Sequence, residues 1–261
     1  MTKFLLPPSE TKNDAGGKGK LNLRNLSFPE LTQSRDQLLE TLIEFSANSP
    51  TRARGALGLS SKQDFERLRN VNLRTAPAAP AWQVYSGVLF DALNAQALSA
   101  AAIKKLISSV YIQSALFGLI SIGDRIPAYR LSADTKLPRV GTLANVWANP
   151  CAEFFTQIND LVVDLRSSQY VKLAPIPKTM AEQVVVPKIL QKMPSGPPKI
   201  VSHHNKATKG RIIRQVVTGS KVPNTIDQLA KVISKLGADV EVIKPKRVGQ
   251  PTTLNVVVRV L

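Results

Sequence analysis

The chain has 261 residues, 43% of them hydrophobic, and carries 35 Lys or Arg against 18 Asp or Glu, a formal net charge of +17. This is a globular composition with enough length for a sizeable core, and it excludes a disordered chain. No apolar run approaches the roughly 18 residues of a membrane span, and the lone Cys151 excludes an internal disulfide or a cysteine-built metal cluster.

Met1 to Pro8 is too short an apolar stretch for a signal peptide and predicts a first strand over Lys3 to Pro8. With no targeting segment and little cysteine, a cytoplasmic location is expected. Ser9 to Lys20 reads as a Gly- and Lys-rich surface loop that lacks the Gly-x-x-x-x-Gly-Lys-Ser/Thr spacing of a P-loop. Pro29 to Ala47 predicts a helix, with Pro29 at N1 and Leu31, Leu38, Leu39, Leu42 and Phe45 at helical spacing. Ser49 to Leu68 predicts a short helix, a turn at Leu57-Gly58-Leu59, and a second helix capped by Ser60 or Ser61. Trp82 to Leu93 reads as a turn entering a helix, and Ser99 is expected to cap Ala100 to Ile107. Val110 to Ile120 is nearly all apolar and predicts a strand covered on both faces, broken by Gly118.

Asp124 to Thr142 then turns polar and irregular, and Thr142 to Asn159 predicts a helix interrupted at Pro150. Leu161 to Leu165 and Val184 to Val186 predict strands, and Lys199 to Val201 a strand leading into Ser202-His203-His204-Asn205. Lys206 to Val217 predicts a basic helix. A further helix, capped by Asn224, should end at Gly237, and Asp239 to Lys244 and Thr253 to Val260 alternate as closing strands. The expectation is an α+β fold: a single compact domain over residues 1–261 with a mixed β-sheet and flanking helices.

The positive charge is unevenly spread. Residues 172–261 hold 16 Lys or Arg and 4 Asp or Glu, a net of +12, which leaves 19 and 14, a net of +5, for the first 171. Such a field attracts polyanions; the competing explanation is solubility alone. Three polar segments each follow a predicted strand: Asp124 to Lys136, Arg166 to Tyr170, and Ser202 to Arg211. If their strands are neighbours, the segments converge on one cleft. That would gather Tyr129, Arg130, Ser167, Ser168, Tyr170, His203, Lys206, Lys209 and Arg211, with donors for phosphates, rings for base stacking and groups for acid–base work. Otherwise each is a solvated loop. His203 and His204 are neighbours whose side chains diverge, and no spaced carboxylates accompany them, so no metal and no cofactor is expected.

Tyr85-Ser86-Gly87, Ala115-Leu116-Phe117-Gly118-Leu119, Pro127-Ala128-Tyr129-Arg130-Leu131, Val163 to Tyr170 and Ser202 to Arg211 occur in the order found in the peroxide stress resistance protein YaaA family. The chain resembles that family over nearly its whole length, from Phe4-Leu5-Leu6-Pro7-Pro8-Ser9-Glu10-Thr11-Lys12 onward. The resemblance implies a compact α+β fold and a helix-hairpin-helix element at about residues 49–72, with Leu57-Gly58-Leu59 as its turn. It also implies DNA binding through a positively charged cleft and a role in limiting oxidative DNA damage when peroxide meets free iron. The sequence departs from the family's usual pattern at Ser121-Ile122-Gly123-Asp124, where an Arg-Pro pair is more common, and at His203-His204-Asn205, where Phe-Tyr-Ala is.

Two functions follow as expectations. A DNA-binding protein with no membrane partner would use Arg52, Arg54, Gly58, Lys62, Tyr129, Arg130, Tyr170, Lys206, Lys209 and Arg211 on phosphates and bases. An enzyme acting on a nucleobase, nucleotide or other phosphorylated substrate, with a nucleotide-like small molecule as its ligand, would draw on Lys12, Ser168 and His203. A deep closed pocket favours the enzyme, and an open basic groove the binder. The resemblance implies no enzymatic activity, so the non-catalytic expectation leads.

Overall fold

The computed structural model describes residues 1–14 and 16–259, with the side chains of Ser202 and His203 lying outside the described residues. In chain order the main elements are β1 (Lys3–Leu6), α1 (Thr32–Asn48), α2 (Pro50–Ala56), α3 (Asp64–Val71), α4 (Ala81–Val84), α5 (Val88–Leu93) and α6 (Ala100–Ser109). Then follow β2 (Val110–Ser114), β3 (Gly118–Ser121), α7 (Leu143–Thr156), β4 (Val162–Asp164), α8 (Ser168–Leu173), β5 (Val184–Gln191), α9 (Ser202–Thr218), α10 (Ile226–Ser234), β6 (Asp239–Ile243) and β7 (Thr252–Val258).

β1 is apolar without alternation because both its faces are covered: Phe4, Leu5 and Leu6 are fully buried. The strand sits inside a seven-stranded mixed sheet of order β6-β7-β5-β4-β1-β2-β3. β1 pairs in parallel with β2 on one side and β4 on the other, β4 with β5, and β5 with β7. β3 and β6 close the two edges antiparallel to their neighbours. The chain leaves β1 for β2 on one side and later returns to β4 on the other, so the order reverses at β1. In open α/β sheets, polar loops meet outside the carboxyl ends of strands at such a reversal. Here the loops after Leu6, Ser114 and Asp164 open on that edge. One buried apolar cluster runs through the sheet and the helices packed on it, and the whole is a single α/β domain.

Most predicted elements form close to their expected bounds, and five differ. The single strand expected over Val110 to Ile120 is a hairpin, β2 and β3, joined by Ala115 to Phe117. Ser114 makes the reversal by accepting the amides of Leu116 and Phe117, and Gly118 completes it at φ +64°. A side chain at Gly118 would also strike the Trp147 ring at 2.6 Å. Second, α7 runs unbroken through Pro150. The carbonyl this proline orphans belongs to half-buried Val146, while Trp147, Cys151 and Phe155 bury one face and hold the helix together. Third, Lys199 to Val201 is not a strand. Only Lys199 makes an isolated bridge, to Gln191, and the helix begins at Ser202. Fourth, Thr225, not Asn224, caps α10, accepting the Gln228 amide at 3.2 Å. β5 also extends past Val186 to Gln191. Among the described residues no helix is long and apolar enough to cross a membrane.

α9 reaches the sheet by crossing α5 at backbone distance, and Gly210 permits the approach. A Cβ there would lie 2.1 Å from the Leu89 carbonyl oxygen and 2.8 Å from the Leu93 nitrogen. Gly210→Ala should therefore destabilise the fold by about 1–3 kcal/mol despite its better helix propensity. Urea unfolding checks this, and an unchanged midpoint would show that the crossing has slack.

Candidate functional site

After β1 the chain passes Pro7 and Pro8 and brings Ser9 to Lys12 over the carboxyl edge of the sheet, where Lys12 bridges to Tyr85. The Lys12 side chain turns inward and the residue is only 5% exposed. Its Nζ donates to the carbonyl oxygens of Ser9, at 2.8 Å, and Glu10, at 3.3 Å. It lies 4.2 Å from the ring centroid of Tyr129 and 5.5 Å from that of Tyr85. A desolvated ammonium over aromatic faces gains from their quadrupoles. The rings are themselves fixed: Tyr129 Oη is 2.9 Å from Tyr85 Oη and 2.8 Å from Ser114 Oγ.

Glu10 forms the outer part of this group. Tyr170 Oη donates to its Oε1 at 3.2 Å, and Arg130 Nη1 lies 3.4 Å from its Oε2. The Arg130 backbone is clamped by Asn70 of α3, which donates to the Arg130 oxygen and accepts from its amide, both at 2.8 Å. Arg130 Nε is buried and has no hydrogen-bond partner among the described residues. The loop after β1, the segment entering α5, the stretch between β3 and α7, and α8 thus supply Lys12, Glu10, Tyr85, Tyr129, Arg130 and Tyr170 to one place, with Ser114 of β2 and Asn70 of α3 bracing them.

Burial lowers the Lys12 ammonium from 10.5 to about 8, with Glu10 opposing and Arg130 adding to the fall. Burial also pushes the phenols of Tyr85, Tyr129 and Tyr170 upward. An amine near 8 is charged for the most part at neutral pH yet gives up its proton easily. It can clamp an anion, donate a proton, or act as a nucleophile from its neutral fraction. Lys209 of α9 is lowered to about 8 as well, by burial first, with Asp164 raising it and Lys206 lowering it. Asp164 is held by Arg166 through two side-chain hydrogen bonds of 2.9 and 2.8 Å and one from the backbone amide at 3.0 Å, and Arg166 also donates to the Ala174 oxygen.

The convergence expected from the sequence is therefore partial. Lys12, Tyr129, Arg130 and Tyr170 meet. Tyr129 and Tyr170 are buried, 1% and 5% exposed, so neither presents a ring for stacking at the surface. Lys206 and Arg211 are exposed on α9, whereas Lys209 on the same helix is buried. The segment Ser202 to Arg211 is a helix in its first turns and not a loop after a strand. Ser168 is exposed at the start of α8, and no hydrogen bond joins it to Lys12 among the described residues. The side chain of His203 lies outside the described residues. Arg52, Gly58 and Lys62 are exposed and Arg54 is half-buried on the α2–α3 pair, where Gly58 has φ +63° and Arg54 lies 3.6 Å from Asp64. Sequence reasoning passed over Glu10, Tyr85 and Ser114 as site residues. Glu10 and Tyr85 stand in short motifs that flagged them, while Ser114 carries no sequence signal.

Among the described residues no group of three or more His, Cys, Asp or Glu is placed to hold a metal. Burial raises the Cys151 thiol to about 11, which makes it a core residue and a poor nucleophile. Fold and site together define an α/β protein with a lysine-centred polar cluster at the switch point of its sheet. The chain belongs to the peroxide stress protein YaaA family, which it matches over residues 2–237. It is 38% identical over 256 residues to a UPF0246 protein of Streptomyces coelicolor, covering 97% of each chain. It is 38% identical over 259 residues to one of Corynebacterium efficiens, covering 98% of this chain and 99% of the relative. A protein of Campylobacter jejuni is 27% identical over 241 residues, 90% of this chain and 92% of its own. The family match includes every residue of the Lys12 cluster and stops short of β6 and β7.

The buried lysines set a pH dependence. Unfolded Lys12 keeps its proton up to about 10.5 and folded Lys12 only up to about 8. Between these values the unfolded chain binds more protons, so stability rises with pH. Lys209 acts in the same sense. Above the ordinary tyrosine value of 10.0 the buried phenols reverse the trend, because unfolded tyrosines lose protons that the folded ones keep. Urea unfolding between pH 8 and 10 should show a gain of about 2 kcal/mol per buried lysine. Lys12→Met should remove its share, and a variant with the same slope as the parent would show that the Lys12 amine is hydrated.

Proposed function

We propose that this peroxide stress family protein works in the cytosol as a DNA-binding protein that limits iron-dependent oxidative damage by covering duplex DNA. The observation that carries the reading is the charge: a net of +12 within residues 172–261, with Lys206 and Arg211 exposed on α9. α9 spans 17 residues and has no acidic side chain in its first turn. In this reading α2, the turn at Gly58 and α3 serve as a helix-hairpin-helix element, with exposed Arg52 and Lys62 and the Gly58 turn facing phosphates. Contacts of this kind hold the backbone and read little sequence. Burial takes Lys209, Tyr129 and Tyr170 out of direct contact and leaves them to shape the cleft.

Each phosphate neutralised adds about 0.9 to the log–log salt slope of binding. Fluorescence anisotropy with a duplex across a salt series should show affinity falling steeply as salt rises. Lys206→Ala with Arg211→Ala should flatten the slope by about 2. An unchanged slope would remove α9 from the interface, and salt-insensitive binding would sink the reading.

A second reading, an enzyme acting on a nucleobase, nucleotide or other phosphorylated substrate, has one specific observation in its favour. That observation is the desolvated Lys12 amine beside Glu10, Arg130 and three tyrosines at the sheet's switch point. Thermal unfolding with a panel of nucleotides and nucleobases tests it. A true ligand at about 100 times its Kd should raise Tm by about 5 °C or more, and Lys12→Gln should abolish the shift. Stabilisation by DNA alone would end this reading.

A further inference from the structure

Apolar residues are exposed where α3 faces outward. Phe65 is 53% exposed and Leu68, one turn on, is 47% exposed. Together with Arg69, Asn72, Val84 and Ala128 they line a groove of about 420 Å³, to which Asp14 and Gly16 also contribute. The Arg69 guanidinium lies 5.3 Å from the Phe65 ring centroid. It is held there by Glu66 at 2.9 Å and Asp14 at 2.6 Å. A flat ring beside a fixed guanidinium makes a platform for another flat, polarisable group.

The surroundings narrow the choice of guest. Lys62 stands three residues before Phe65, and Lys20 bridges to Pro77 in the groove wall, with Lys18 between Lys20 and Gly16. Among the described residues none of these three lysines has a carboxylate within 4.0 Å. The nearby acids, Asp14, Asp64 and Glu66, are all paired with arginines. The groove is apolar within, its own Asp14 and Arg69 answer each other, and the exposed Lys18, Lys20 and Lys62 stand near it along the chain with no carboxylate partner among the described residues. That pattern complements an aromatic base flanked by phosphates; an apolar peptide would leave the cations unanswered.

We infer that this groove takes one unpaired nucleobase of DNA, stacked on Phe65, while Lys18, Lys20 and Lys62 hold the phosphates on either side. The inference rests on the DNA-binding reading and adds to it a preference for DNA with an extruded base. Val84 and Ala128, which line the groove, directly precede Tyr85 and Tyr129, so a lodged base lies against the wall of the Lys12 cage.

Anisotropy with two duplexes, one fully paired and one carrying a single bulged adenine, tests the inference. The bulged duplex should bind about fivefold or more tighter, the lower bound for stacking one base on an aromatic side chain. Phe65→Ala should abolish the preference and leave affinity for the paired duplex unchanged, and Phe65→Trp should keep the preference. Phe65 is exposed, so neither variant threatens the core. Equal affinity of the parent protein for the two duplexes would overturn the inference, leave the DNA-binding reading standing and give the groove to a protein partner. A preference that survives Phe65→Ala would overturn it too. Binding to neither duplex would overturn both.

Discussion

A charged amine with almost no access to water has to be met by something, and at Lys12 several elements meet it at once. The carbonyls of Ser9 and Glu10 accept its protons, and the faces of Tyr129 and Tyr85 lie against it. Each of these groups is fixed by another. The two phenols bond to each other, and Tyr129 bonds to Ser114 at the end of β2. Asn70 clamps the backbone beside Tyr129, and Glu10 is gripped by Tyr170 and Arg130. Removing one member would leave buried polar groups unmet, and that penalty is what holds loops from distant parts of the chain at one edge.

The same logic extends through a second buried cation. Arg35 is completely buried, and its three nitrogens donate to the carbonyl oxygens of Ser27, Phe28, Phe117 and Leu119. Phe117 ends the turn of the β2–β3 hairpin and Leu119 lies just beyond it in β3, and Trp147 Nε1 donates to Ala115 in that turn. Arg35 and Trp147 therefore set where the hairpin reverses, and so where Ser114 can reach Tyr129. The guanidinium suits the task because its planar fork can satisfy several carbonyls at once.

Surface charge and the buried cluster are separate devices. The exposed cations Lys206 and Arg211 of α9, with Lys18, Lys20 and Lys62, present a field to solvent. Lys12 and Lys209 are cations withdrawn from solvent, held by burial at a point where their protons are easily moved. The groove beside α3 lies between the two kinds of charge. Its wall includes Val84 and Ala128, the residues next to Tyr85 and Tyr129 of the Lys12 cage.

Much of this was legible along the chain. Helical spacing in α1, the Ser99 cap of α6, the alternation of β6 and β7, and the excess positive charge after residue 171 are local or additive properties, and the sequence by itself determined them. The opening motif through Lys12 and the motif at Tyr85 marked positions without assigning their role. Tertiary structure alone decided the rest. It folded Val110 to Ser121 into a hairpin, because Arg35 and Trp147, distant in the chain, hold the carbonyls of Phe117, Leu119 and Ala115 at its turn. It carried α7 through Pro150, because packing of Trp147, Cys151 and Phe155 outweighs one missing hydrogen bond. It also sorted like residues into unlike roles. Lys206 and Lys209 are one helical turn apart, yet one is solvated and the other buried, and Tyr129 became a wall of the cage around Lys12 instead of a surface ring. Periodicity and charge are written in the order of residues, whereas burial is set by which elements come to lie on top of them.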